Sequence, residues 1–199
     1  MELPKIIHLG EKIGDTKRIE LNKLEKAQII VSVASIILGT LLHFIYEWTG
    51  ENAFVASFSA VNESVWEHLK LAFFPMLIAT IIEYFFVKQV AHNYIEAKTV
   101  GIFTAICFIV VTFFTYTGIL GASFLIIDIL IFIISILLGE WTAYKLMKRK
   151  DESDTKTKTL AGVIIGFLLI CFVICTYITP EVNLFKDPVS GIYGIQEID

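Results

Sequence analysis

The chain has little of what builds a disulfide scaffold or a metal-binding domain: three cysteines, four histidines and four prolines in 199 residues. Cys107, Cys171 and Cys175 all lie in apolar stretches without paired spacing, which excludes a disulfide framework and a cysteine-based zinc signature. Cys171 and Cys175 share a helix face and read as small buried hydrophobes. There is no excess of positive charge either. Sixteen Lys and Arg stand against twenty Asp and Glu, a net charge of -4, so nothing points to nucleic acid as a partner. Internal repeats are absent as well, which argues against an inverted-repeat transporter.

What the chain has is hydrophobic length. Its residues are 56% hydrophobic and its mean hydropathy is +0.73, well beyond soluble-domain usage. Crossing the hydrocarbon takes about 20 apolar residues, and five such stretches are present, at 27–48, 69–88, 99–120, 122–146 and 159–179. The expected fold class is therefore an all-α polytopic membrane protein with five transmembrane helices. Residues 1–26 form a polar arm, with a short surface helix expected over 16–26 that runs into the first span, and residues 27–179 the five-helix domain. Residues 180–199 form a tail. Gly118 and Gly121 supply the turn between the third and fourth spans.

Fourteen of the sixteen basic residues fall in the arm, the 2–3 loop (Lys88, Lys98) and the 4–5 loop, around 145–158. Cytoplasmic loops hold the Lys/Arg excess. The expectation is a plasma-membrane protein with a cytoplasmic N-terminus and an external C-terminus, its basic residues also touching lipid headgroups. The long charged arm before the first span, and the missing small-residue cleavage pattern after it, argue against a cleaved signal peptide. Tyr46, Trp48, Trp66, Tyr116 and Tyr177 would mark the outer interface, and Trp141 and Tyr144 the inner one.

Polar residues at the edges of these stretches are the functional signal, because charge near a bilayer is costly. Asn62, Glu63, Ser64, Val65, Trp66, Glu67, His68, Leu69 and Lys70 form one run at the expected outer face. His43 and Glu47, four residues apart, share a face of the first helix. Asp128 lies about 9 Å into the fourth span at the helical rise, a depth that matches His43. Two imidazoles and up to four carboxylates suit a divalent cation such as zinc, with His43, His68 and Asp128 as ligands and Glu63 or Glu67 as catalytic base. The competing structural reading pairs His43 with Asp128 or Glu47, and Lys70 with Glu63 or Glu67. Ser64 to Glu67 also fits a capping box at a helix start.

At the inner end, Glu83 and Glu140 lie at similar depth, where they could share a proton. Snorkelling towards Lys88 or Lys145 is the alternative. Pro75 should free a carbonyl inside the second span. Ser35 with Gly39, and Gly162 with Gly166, have the small-residue spacing of helix contacts, the latter pair serving an internal contact or a homodimer. The tail, from Pro180 to Gly194, alternates turn signals with Leu184, Phe185, Ile192 and Tyr193, and is expected to fold back over the outer cluster.

Four segments carry a resemblance: His43 to Trp48, Phe58 to Leu71, Phe74-Pro75-Met76, and Leu184 to Pro188 followed by Gly191 to Ile195. At these residues the chain resembles a family of small bacterial multi-pass membrane proteins known only as a domain of unknown function. The resemblance implies a bacterial-type plasma membrane and supplies no activity. Three function classes stay open: a metal-dependent membrane enzyme, a small transporter or ion-coupled carrier, and a structural or partner-binding subunit.

Overall fold

The computed structural model describes residues 3–149 and 153–195, with the side chains of 3–14, 16 and 17 left out. Residues 1–2 of the arm, Lys150 to Glu152 of the basic loop and residues 196–199 of the tail lie outside the described residues. Six helices follow in order: α1 (Leu3–Trp48), α2 (Ala53–Ala56), α3 (Val65–Val87), α4 (Tyr94–Leu120), α5 (Leu125–Lys148) and α6 (Thr155–Tyr177). The described residues contain no strand, only an isolated bridge between Lys186 and Tyr193. Five helices are long and apolar enough to cross a membrane. The protein is all-helical, and these five helices suit an integral membrane protein.

Two boundaries differ from expectation. The helix expected from 16 into the first span begins earlier, since α1 runs unbroken from Leu3 to Trp48, and Leu24 is buried against Val87, Tyr94 and Met147. The second apolar helix starts at Val65, four residues before the apolar span expected from 69 and where the Ser64 capping box puts a helix start, so Glu67 and His68 are helical residues like Lys70. Ser64 caps it, accepting from the Glu67 N–H at 3.4 Å. The capping box is only half formed. Asn62 takes the Ser64 N–H at 2.8 Å, leaving the Glu67 carboxylate to accept from Val61 N at 3.0 Å.

The helices meet along an apolar core of Leu42, Phe73, Met76, Ile102, Ile136 and Phe172. A close crossing joins α4 and α5, where a Cβ on Gly101 would stand 2.6 Å from the Gly139 carbonyl oxygen, and the reverse. Small residues permit this approach. Gly39 plays the same part between α1 and α3, facing the Leu71 carbonyl. That carbonyl lies four residues before Pro75, which has no N–H to offer it. The expected internal contact at Gly162 and Gly166 is not formed: both face open space. Gly121, at φ +73°, ends α4 in the left-handed conformation and makes the turn into α5.

The tail folds back on the start of α3. Trp66 N donates to the Leu184 carbonyl at 2.9 Å, and the Asn62 side chain donates to the Gly194 carbonyl at 2.8 Å. Phe185 is buried against the Trp66 ring, centroids 4.6 Å apart, and Trp66 also packs on Phe172. Trp66 is thus a packing residue between α6 and the tail rather than an interfacial anchor. Tyr46 is buried too, whereas Trp48 and Trp141 stay exposed.

Candidate functional site

The polar residues gather in three places. At the first, Glu63 sits between two histidines, its Oε1 3.6 Å from His43 Nε2 and its Oε2 3.5 Å from His68 Nε2. All three are partly exposed, and the imidazole centroids are 5.6 Å apart. The first turn of α3 orients His68, whose Nδ1 lies 2.9 Å from the Ser64 carbonyl. A carbonyl only accepts, so Nδ1 carries the hydrogen in this contact and Nε2 is the atom turned toward the Glu63 carboxylate.

Glu63 and His68 open onto a crevice of about 210 Å³. Asp128 lines the same crevice, with apolar walls from Ile109, Phe113 and Phe132 and with Pro188 and Val189 of the tail at its rim. That volume holds several waters or a small head group. Asp128 stands in the first turn of α5, where a carboxylate suits the helix dipole, and accepts a short hydrogen bond from the Tyr116 hydroxyl. The pairing of His43 with Asp128 or Glu47 is not found. Glu63 is the His43 partner because α3 begins early enough to bring it over the end of α1, while Glu47 is exposed. Among the described residues, no three His, Cys, Asp or Glu side chains stand ready to hold a metal ion.

The second place is Glu67 and Lys70, which the sequence puts in the same run but the helix turns inward. Lys70 is fully buried and ion-paired to Glu67, and it donates to the Ala56 carbonyl at 2.8 Å and to Thr176 Oγ1 at 3.1 Å. Three acceptors satisfy its three donors. The pair ties α2, α3 and α6 together, and the Glu67 carboxylate is taken by Lys70 and Val61 N rather than facing the crevice.

The third place lies about 20 Å further along α3, thirteen residues on from Lys70. Glu83 and Glu140 come together there, but neither snorkels to Lys88 or Lys145. Both bind Lys98, at 2.6 Å and 2.5 Å, and all three are nearly inaccessible. Lys98 belongs to the interior because α4 begins at Tyr94, which makes the residue helical and turns it toward α3 and α5. Gln28 and Tyr94 complete the Glu83 environment, the first donating to Oε1 at 2.5 Å and the second to Oε2 at 2.9 Å. Sequence reasoning counted Lys98 as a loop charge and passed over Gln28 and Tyr94. A lone polar Gln28 in an apolar run was the available signal. Crevices flank this cluster, one of about 270 Å³ lined by Tyr94 and Lys98, the other of about 200 Å³ lined by Gln28 and Glu140. Apolar side chains of Phe73, Met76 and Ile136 fill the space between the two ends.

A search of curated proteins and of solved structures finds no match to this chain. The sequence is matched over residues 16–195 by one family. The chain belongs to DUF6512, a family of unknown function.

Proposed function

We propose that this is a multi-pass plasma-membrane protein, its N-terminus cytoplasmic and its C-terminus external, whose outer crevice binds the polar end of a cationic amphiphile. One observation carries the reading: a single crevice joins Glu63, His68 and Asp128 to apolar walls from Ile109, Phe113 and Phe132. Sites for small molecules combine apolar lining with a few convergent polar groups. Two carboxylates favour a positively charged head, and the walls favour an alkyl chain. The tail residues Pro188 and Val189 cap the bound molecule.

Calorimetry on the full chain in neutral detergent, with an alkylammonium and an alkyl sulfate of equal chain length, tests this. The alkylammonium should bind, and Glu63→Gln should weaken it about tenfold, or 1.4 kcal/mol. Equal binding of the sulfate, or no binding of either, refutes the reading.

A second reading, a metal-dependent membrane enzyme, is favoured by the hydrogen bond from His68 Nδ1 to Ser64. Histidine ligands to zinc usually donate their other N–H to a carbonyl or carboxylate. His43, His68 and Glu63 would hold the metal in place of the trio with Asp128, after small rotamer shifts. Stoichiometric zinc in purified protein, lost on His68→Ala, supports it; metal-free protein that takes up no added zinc sinks it. The carrier reading gains nothing from the apolar layer of Phe73, Met76 and Ile136 between the two polar ends.

A further inference from the structure

We propose that Glu140 is an exchangeable proton-binding site, loaded through the crevice between α1 and α5. Two carboxylates share one ammonium in this cluster, so the three charged groups sum to one excess negative charge in an apolar interior. Uncompensated buried charge is strongly unfavourable, and a carboxylate sheds it by taking up a proton. The hydrogen bonds decide which carboxylate does so. Glu83 has donors on both oxygens: Gln28 on Oε1, Tyr94 and Lys98 on Oε2. Glu140 has Lys98 on Oε2 and nothing on Oε1, which is buried without a partner. The residue is 2% exposed.

Protonation forms an O–H bond at Oε1, leaves the Lys98 contact on Oε2 intact and brings the cluster to neutrality. The titratable and polar groups packed around it are Glu25 and Gln28 from α1, Glu83 from α3, Lys98 and Tyr94 from α4, and Tyr144 from α5 itself. Glu25 is exposed and lines the same crevice as Glu140, so it can collect protons at the mouth. The cluster is remote from the amphiphile crevice, and alkylammonium binding can fail without touching this proposal.

Infrared difference spectra of the full chain, recorded as the pH is changed, test it. A carboxylic acid C=O band should appear with falling pH, shift in D2O while the protein stays folded, and vanish in Glu140→Gln. It should persist in Glu67→Gln, and in Glu83→Gln it should appear only at lower pH, because that variant removes the excess charge and leaves Glu140 paired with Lys98. Glu25→Gln should slow the D2O shift. Wild-type protein with no titrating band refutes the proposal whether or not the variants fold. A band that survives Glu140→Gln, or an exchange rate indifferent to Glu25→Gln, overturns the residue or the route.

Discussion

Replacing Lys98 by Met tests the buried cluster most directly, since it removes one ammonium from two carboxylates at 2.6 and 2.5 Å while keeping the volume of the side chain. Lys98 is 1% exposed, so water cannot replace the lost partner. Breaking a buried pair from one side costs about 3–5 kcal/mol, because a charge is left uncompensated. Here the two carboxylates can also share or take up protons, which puts the expected loss near the lower end, about 3–4 kcal/mol. For a chain of this size each kcal/mol lowers Tm by roughly 2–4 °C, so the variant should melt roughly 6–16 °C below wild type. Helix content followed by circular dichroism during heating in one detergent measures this. The triple variant Lys98→Met, Glu83→Gln, Glu140→Gln should recover most of the loss, because neutral replacements of a buried ion cluster are often close to neutral in stability. A single variant melting within a few degrees of wild type would refute the reasoning. So would a triple variant less stable than the single one.

Three further outcomes are expected. Gly139→Ala should destabilise by about 1–2 kcal/mol, since its Cβ would meet the Gly101 carbonyl at 2.6 Å, whereas Gly162→Ala, facing open space, should stabilise by about 0.5–1 kcal/mol; paired melting curves check the opposite signs. Phe185→Ala removes a buried ring from the Trp66 stack, a loss of about 3 kcal/mol, so trypsin should cut after the exposed Lys186 about 100-fold faster than in wild type. Asp154 caps α6, and hydrogen bonds from the Thr157 hydroxyl and N–H hold its carboxyl below the ordinary value, so its stabilising effect is present above the unfolded-state pKa and fades as pH falls through the lower folded value. Amide exchange at Thr157 should accelerate across that acid range in wild type and show no such step in Asp154→Ala.

Each place where expectation and structure part has a local cause. Glu63, Glu67, His68 and Lys70 are neighbours in sequence, yet a helix starting at Val65 distributes them around its axis. Glu63 stays outside with the histidines, while Glu67 and Lys70 turn in toward α2 and α6. Hydropathy puts the apolar span at 69 while the Ser64 cap starts the helix four residues earlier, and the cap decides the angle of each side chain about the axis. Lys98 shows the same effect, a loop charge by hydropathy and the hub of a buried cluster by packing. Gly101 and Gly139 drew no attention although each lies in a small-residue stripe on its own helix, Ala97 to Ala105 and Ser135 to Ala143; that the two stripes face each other is decided only by the crossing of α4 and α5.

The sequence by itself determined the all-helical class, the number of long apolar helices and the turn at Gly121, because these depend on local hydropathy and on backbone conformations that one residue can impose. It also brought His43, Glu63, His68 and Asp128 under suspicion, since charge beside apolar helices is costly wherever it lies. Only the tertiary structure decided that Glu63 joins the two histidines, that Lys70 belongs with Glu67 and Thr176, and that one lysine serves both Glu83 and Glu140. Pairings of that kind depend on the rotation and offset of one helix against another. Those are fixed by close packing at Gly39, Gly101 and Gly139, between residues far apart in the chain.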